Sequence, residues 1–233
     1  NVKAIILDSK DTADAVRLLS KMIRDKGSFL VSMGDVVTNI PYLDFFEQHS
    51  KSGAIASIVL MEVDNPLPYG LVYLDEFSNI VLFCEKPPSM EIYLLSLAFH
   101  TVKSAKFYSN LVNAGIYCFR EEILDILLEN NGLMDFGRHV FPYLLESGYV
   151  IKGWIAPRNT YWNDIGRVEV YKEAIWDLLN NRIKHWKPRG EQISKGIYIS
   201  NGSRVNGIVH PPVYIGKNVI VEPGAVIGPY AVL

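Results

Sequence analysis

Four short segments hold the side chains that could do chemistry. In chain order they are Gly34-Asp35, Glu85-Lys86-Pro87, Asn113-Ala114-Gly115 and Trp162-Asn163-Asp164-Ile165-Gly166. They supply two carboxylates, one lysine and several glycines, each beside or inside an apolar, strand-like run. Mg2+ is commonly held by one or two carboxylates, with waters and phosphate oxygens completing its shell. A lysine neutralises a phosphate as a point charge, and a glycine lets a ligand approach the backbone. In open α/β sheets, ligands gather beyond the strand ends. The set therefore suits a nucleotide, a sugar phosphate and a divalent metal.

Each segment also has a plainer reading. Asp35 could be an ordinary turn residue, and Glu85-Lys86 a salt-bridged strand end. Asn113 to Gly115 could mark a bulge, since glycine inside a strand often does. Asp164 could cap the helix that follows it. The five histidines, His49, His100, His139, His185 and His210, show no zinc-like spacing. No serine or cysteine stands in a nucleophile elbow.

The elements that must position these residues follow from apolar periodicity. Val2 to Leu7 reads as a buried strand. Asp11 or Thr12 can cap a helix whose apolar residues Ala15, Val16, Leu19, Met22 and Ile23 recur at helical spacing up to Gly27. Ser28 to Met33 is a strand that runs into Gly34-Asp35. Pro41 opens a helix closed by Gly53. Ala54 to Val63 is almost continuously apolar, as in a strand covered on both faces. This alternation predicts a three-layer α/β domain. Residues 70–74 and 80–85 flank a polar turn and form a hairpin. Residues 89–109 are ambiguous. Asn110 to Phe119 is a strand, and residues 121–129 a helix with Ile123, Leu124, Leu127 and Leu128 inward. A helix over 137–146 and a strand over 149–155 follow. The helix over 168–179 would turn Val168, Tyr171, Ile175 and Leu178 to one side.

The chain has 233 residues, a formal charge of −2 and 49% hydrophobic composition. That is enough for one full domain and a smaller appendage. The balanced charge disfavours a nucleic-acid surface. No stretch reaches the ~20 apolar residues of a membrane span. Cys84 and Cys118 sit in apolar runs and read as core residues of a reducing, cytoplasmic protein, a disulfide between them being the alternative. Near the end, Val209, Ile215, Val221, Ile227 and Leu233 lie six residues apart. A period of six with an aliphatic residue inward marks a β-helix of hexapeptide coils. One or two coils bury little, which reads as a chain cut short.

At this point the chain resembles the sugar-nucleotide pyrophosphorylases, the sugar-1-phosphate nucleotidyltransferases. The resemblance is carried by Phe29 to Asp35, Tyr69 to Val72, Val81 to Pro87, Asn113 to Tyr117 and Tyr161 to Gly166, and it covers nearly the whole chain. The tail is similar to members with a left-handed β-helix, including the mannose-1-phosphate guanylyltransferase and glucose-1-phosphate branches. The resemblance implies a Rossmann-like nucleotidyltransferase domain with a mixed sheet over residues 1–180. A linker over 181–191 and the start of a left-handed parallel β-helix over 192–233 would follow. It implies that a sugar 1-phosphate attacks the α-phosphorus of a nucleoside triphosphate and displaces pyrophosphate. Asp35 and Asp164 would hold Mg2+, and Lys86 would meet the sugar phosphate. Glu85, Asn113 and Gly70 would contact the sugar. Gly34, Gly115 and Trp162 would line the substrates, and Thr12 and Ala13 would lie near the base. The family's tail often joins subunits, so a homo-oligomer is expected.

The chain departs from the family twice. The family's glycine-rich loop that grips the triphosphate does not occur before Gly34, so this polypeptide alone is expected to be inactive. Asp11 stands where glycine precedes Thr12. The second reading, a non-catalytic regulatory or assembly paralogue, rests on that acid.

Overall fold

The computed structural model describes residues 2–24, 27–66, 68–85 and 110–233. Lys86 and the ambiguous stretch 89–109 lie outside them. By its contacts the chain divides into two compact units. The first comprises Asn1–Gly34 and Pro41–Arg158, and the second Asp35–Ile40 and Asn159–Leu233. Residues 181–191, expected as a linker, fall within the second unit.

In the first unit, helices α1 (Thr12–Leu18) and α2 (Ser20–Ile23) precede strand β1 (Ser28–Ser32). After β2 (Val36–Thr38), which belongs to the second unit, come α3 (Tyr42–Ser52), β3 (Ala56–Glu62), β4 (Leu71–Leu74) and β5 (Ile80–Cys84). Then follow β6 (Leu111–Arg120), α4 (Glu122–Glu129), a π-helical turn (Phe136–Val140), α5 (Phe141–Glu146) and β7 (Ile151–Ile155). The strands form a mixed sheet in the order β5-β4-β6-β3-β7, with β1 also paired to β6. β3 runs parallel to β7 and antiparallel to β6. Having a strand on either side explains the unbroken burial of Ala56 to Leu60.

The alternation of β3 builds three layers. Ala56, Ile58 and Leu60 enter the main core with Val16 of α1, Leu124 and Leu127 of α4, and Phe141 of α5. Ser57, on the opposite face, meets His49 of α3. Phe45 of α3 packs on Trp154 of β7, with ring centroids 5.5 Å apart. Gly53 ends α3 at φ 68°, a left-handed geometry that glycine adopts without strain. The hairpin turn is fixed by Asp75, whose carboxylate accepts from the amides of Phe77 and Asn79. Cys84 and Cys118 are both free thiols. Burial pushes the Cys118 thiol up to about 12, which keeps it protonated.

Several expectations need correction. Residues 2–7 form no strand, and Val2 and Ile6 are fully exposed. A strand needs partners for its amides and carbonyls, and no described strand pairs with this segment. Leu128 is 45% exposed, while Ile126 takes the inward place in α4. The helix expected over 137–146 begins as the π turn, and Pro142 stands in the first turn of α5, where its missing N–H is tolerated.

In the second unit, β2 pairs antiparallel with β8 (Trp162–Asp164), and α6 (Val168–Leu179) follows. The inward face of α6 carries Val170, Ala174 and Leu179, whereas Val168 is 71% and Tyr171 52% exposed. Apolar residues stand on both sides of this helix, so periodicity alone picked the wrong side. The tail holds β9 (Glu191–Ser194), β10 (Ile197–Ile199), β11 (Arg204–Val205), β12 (Ile208–Val209), β13 (Val213–Ile215), β14 (Ile220–Val221) and β15 (Val226–Ile227). β10 pairs parallel with β13, β11 with β14 and β12 with β15. Ile215 and Val221 are buried with Val213, and Val209 and Ile227 pack against them. Leu233 is instead 45% exposed.

The buried histidine of α3 makes stability pH-dependent. Burial, with a smaller contribution from the Arg120 charge, pushes His49 down from 6.5 to about 4. The unfolded chain therefore takes up a proton here before the folded one does. Stability is full above pH 6.5 and falls as the pH drops toward 4, by on the order of 2 kcal/mol. Urea-denaturation midpoints measured across this range should show the fall, and His49→Phe should flatten it.

Candidate active-site residues

The second unit brings Asp35 and Asp164 together. Val36, Val37 and Thr38 pair with Asp164, Asn163 and Trp162, and the Ile165 amide donates to the Asp35 carbonyl at 2.8 Å. The two acids thus stand side by side at one end of a two-stranded ribbon. A Cβ added to Gly166 would lie 3.1 Å from Asp164 Oδ1 and 3.8 Å from Asp35 Oδ2. Glycine at 166 keeps that space open between the carboxylates. Asp164 does not cap α6. The cap residue is Arg167, without a side-chain cap bond, and Asp164 Oδ1 accepts from the Gly166 amide.

The ribbon is pinned from its far end. Thr38 Oγ1 donates to the Tyr161 carbonyl at 2.7 Å and accepts from the Ile40 amide. The Tyr161 amide donates to Asn39 Oδ1 at 2.8 Å. The Tyr161 hydroxyl donates to Asp177 of α6, and burial pushes that phenol up from its usual value. Asp35 is exposed and Asp164 and Trp162 are half-buried, so the pair is open to a ligand. Among the described residues no cluster of three or more His, Cys, Asp or Glu side chains could hold a metal. A cation here would take two protein carboxylates and draw its other ligands from water or phosphate, which suits Mg2+.

A second group forms in the first unit. The Glu85 carboxylate lies between two glycines: Oε2 is 2.7 Å from a Cβ added to Gly70 and 2.6 Å from one added to Gly137. No side chain larger than hydrogen fits at either place while Glu85 stays there. The Asn113 amide donates to the Gly70 carbonyl at 2.8 Å. Asn113 Nδ2 donates to the Tyr117 hydroxyl at 3.0 Å, and its Oδ1 accepts from the Gly115 amide. Gly115 sits at φ 73° where the β3–β6 register shifts, so the bulge reading of this segment also holds. Burial pushes the Tyr117 phenol up, and Glu85 and Asp135 add to the effect.

Thr12 joins the same group. Its Oγ1 donates to Asp135 Oδ2 at 2.9 Å and accepts from the Phe136 amide at 3.1 Å. Asp135 Oδ1 accepts from the Arg138 amide at 2.7 Å and so caps the π turn that carries Gly137. Ala13 is fully buried, and its amide donates to the Met134 carbonyl. Gly34 is exposed, with nothing within 4 Å of the side-chain position it lacks. Asp11 caps α1 by accepting from the Thr12 amide, so it has a local structural role.

The sequence reading missed Asp135, Gly137 and Tyr117. Its signal was present in Met134-Asp135-Phe136-Gly137, a capping acid followed by a glycine inside a helical run. No helix of the described residues is long and apolar enough to cross a membrane.

A mixed sheet flanked by helices, glycine-framed polar groups and a carboxylate pair define an α/β domain of nucleotide-handling type. Residues 4–181 match the family model described as nucleotidyl transferase, and the chain belongs to that family. It is 30% identical over 208 residues to a UTP–glucose-1-phosphate uridylyltransferase of Synechocystis sp., covering 87% of this chain and 49% of the relative. It is 28% identical over 219 residues to a glucose-1-phosphate adenylyltransferase of Fervidobacterium nodosum, covering 86% and 48%. It is 27% identical over 228 residues to a protein provisionally named mannose-1-phosphate guanyltransferase in Sulfolobus acidocaldarius, covering 97% and 54%. The chain spans about half the length of these relatives.

The Thr12–Asp135 bond ties α1 to the π turn. Thr12→Val removes the hydroxyl and leaves part of Asp135 without its donor, which should cost about 1–2 kcal/mol. Thr12→Ser should restore most of the loss. Chemical denaturation of the three proteins checks both expectations.

Proposed function

We propose that the chain is the transferase portion of a sugar-1-phosphate nucleotidyltransferase. A phosphate oxygen of the sugar 1-phosphate attacks the α-phosphorus of a nucleoside triphosphate. The new P–O bond forms as the bond from the α-phosphorus to the bridging oxygen breaks, and pyrophosphate leaves with that electron pair. The observation that carries the reading is the meeting of Asp35 and Asp164 around Gly166, in a chain whose relatives are named for this transfer.

Asp35 and Asp164 would hold Mg2+, which supplies positive charge to phosphate oxygens. In the first unit, Glu85 and Asn113 accept from and donate to sugar hydroxyls, while Gly70 and Gly115 admit the substrate to the backbone. Thr12 and Asp135 stiffen the edge of that group, and Trp162 offers an aromatic face to the substrate. Lys86 neutralises the sugar phosphate. Such displacement depends on positioning and charge neutralisation rather than on a covalent protein intermediate. We read residues 192–233 as the opening of a left-handed β-helix through which copies associate. A regulatory paralogue is the second reading, but Asp11, the residue that favoured it, is accounted for as a helix cap.

Because this polypeptide alone is expected to be inactive, the test is pyrophosphate release by the chain joined to a glycine-rich triphosphate loop ahead of residue 1, with Mg2+ and a panel of triphosphates and sugar 1-phosphates. One base–sugar pair should stand out. Asp35→Asn and Asp164→Asn should each lower kcat at least about 100-fold, while shifting Tm by no more than about 3 °C. If no pair releases pyrophosphate, or if both variants lose activity only in step with stability, the proposal is overturned.

A further inference from the structure

A cavity of about 340 Å³ lies in the first unit between the C-terminal half of α3, β7 and the β4–β5 turn. None of its lining residues belongs to the carboxylate pair or to the Gly70–Glu85–Asn113 group. Its size falls in the ordinary range of small-molecule sites. We propose that it binds a small aromatic anion, a planar ring bearing a phosphate or carboxylate.

Its lining has one chemical character. Phe77 and Trp154 supply aromatic surface, and Lys51 and Lys152 supply positive charge. Among the described residues no aspartate or glutamate lines it. Phe77 is 69% exposed at the tip of the hairpin turn, so an apolar ring settling there would lose little and cover much. Lys152 Nζ donates to the Phe77 carbonyl at 2.9 Å, and the Gly153 amide donates to the Ser78 carbonyl. These bonds tie the turn to β7 and hold the aromatic wall in place. Lys51 is a looser group: it faces Glu47 at 3.5 Å across an exposed pair, which contributes little.

The second observation is at the cavity's inner end. His49 is 2% exposed and lines the cavity. Its Nδ1 bonds Ser57 Oγ at 2.8 Å, and its Nε2 is buried without a hydrogen-bond partner. An unpaired buried polar atom costs about 1–3 kcal/mol, and a ligand oxygen placed there would recover part of it. When Nδ1 accepts from the serine hydroxyl, Nε2 carries the proton and donates to an anion. Two lysines at the mouth, an imidazole at the floor and an aromatic wall together select a ring with a negative group over either part alone.

Phenyl phosphate is the probe, with benzoate as the carboxylate arm, and with phenol, inorganic phosphate and acetate as the separate halves. Binding to the intact protein is followed by calorimetry and by the indole N–H resonance of Trp154. Phenyl phosphate or benzoate should bind at least about tenfold more tightly than either half and should move the Trp154 resonance. Lys152→Gln and Lys51→Gln should each weaken binding at least about threefold, whereas Asp164→Asn should leave it unchanged. Lys51→Gln alters an exposed side chain, so it reports even if Lys152→Gln loosens the turn. Absence of binding at millimolar concentration overturns the proposal. So does binding that responds to Asp164→Asn but not to the lysine variants.

Discussion

Two strands of three residues each set the chemistry of the second unit. Val36–Thr38 and Trp162–Asp164 are far apart in sequence, and their antiparallel pairing is what makes neighbours of Asp35 and Asp164. Two acids at one ribbon end must be kept there by the fold. It does so with a dense set of bonds at the opposite end, where Thr38, Asn39 and Tyr161 share three hydrogen bonds. The Tyr161–Asp177 bond then fixes the ribbon to α6. Charge collects where a cation can neutralise it, and neutral polar groups secure the remainder.

The first unit solves a different problem. Glu85 must be held near backbone atoms without being sealed off from solvent. Glycine at 70 and at 137 makes the room, and the π turn, capped by Asp135, brings Gly137 to the place where that room is needed. The bulge at Gly115 serves the same end. It gives Asn113 a local amide to hold its side-chain oxygen, leaving its nitrogen for Tyr117. Small residues and irregular backbone are concentrated at these polar groups, while the sheet behind them is regular.

Much of this could be read from the residues. Pro41 and Gly53 bracket α3 because one tolerates a helix start and the other a left-handed stop. Asp75 announces its turn, and the long apolar run of β3 announces a central strand. Asp35 and Asp164 stood out as acids beside glycines at strand ends. Other features were hidden for physical reasons. β2 has three residues and exists only through its distant partner, so no local pattern could show it. Residues 2–7 carry a strand's composition but find no partner strand among the described residues. α6 has apolar residues on two sides, and only packing chooses between them. Asp135 was legible as a cap, but its bond to Thr12 depends on tertiary contact. His49 lies among the polar residues of α3, and its burial follows from the layer it faces.

The interleaving of the two units has a consequence for how the molecule comes into being. Asp35–Ile40 is embedded early in the polypeptide, yet it completes its structure only with residues from Asn159 onward. During synthesis the ribosome must therefore release the entire intervening sheet before that early segment can find its mate. Loop-closure entropy makes such a late, long-range union slow relative to local helix and hairpin formation. The acidic pair is assembled late, so a nascent chain would carry a largely formed sheet well before Asp35 and Asp164 became neighbours.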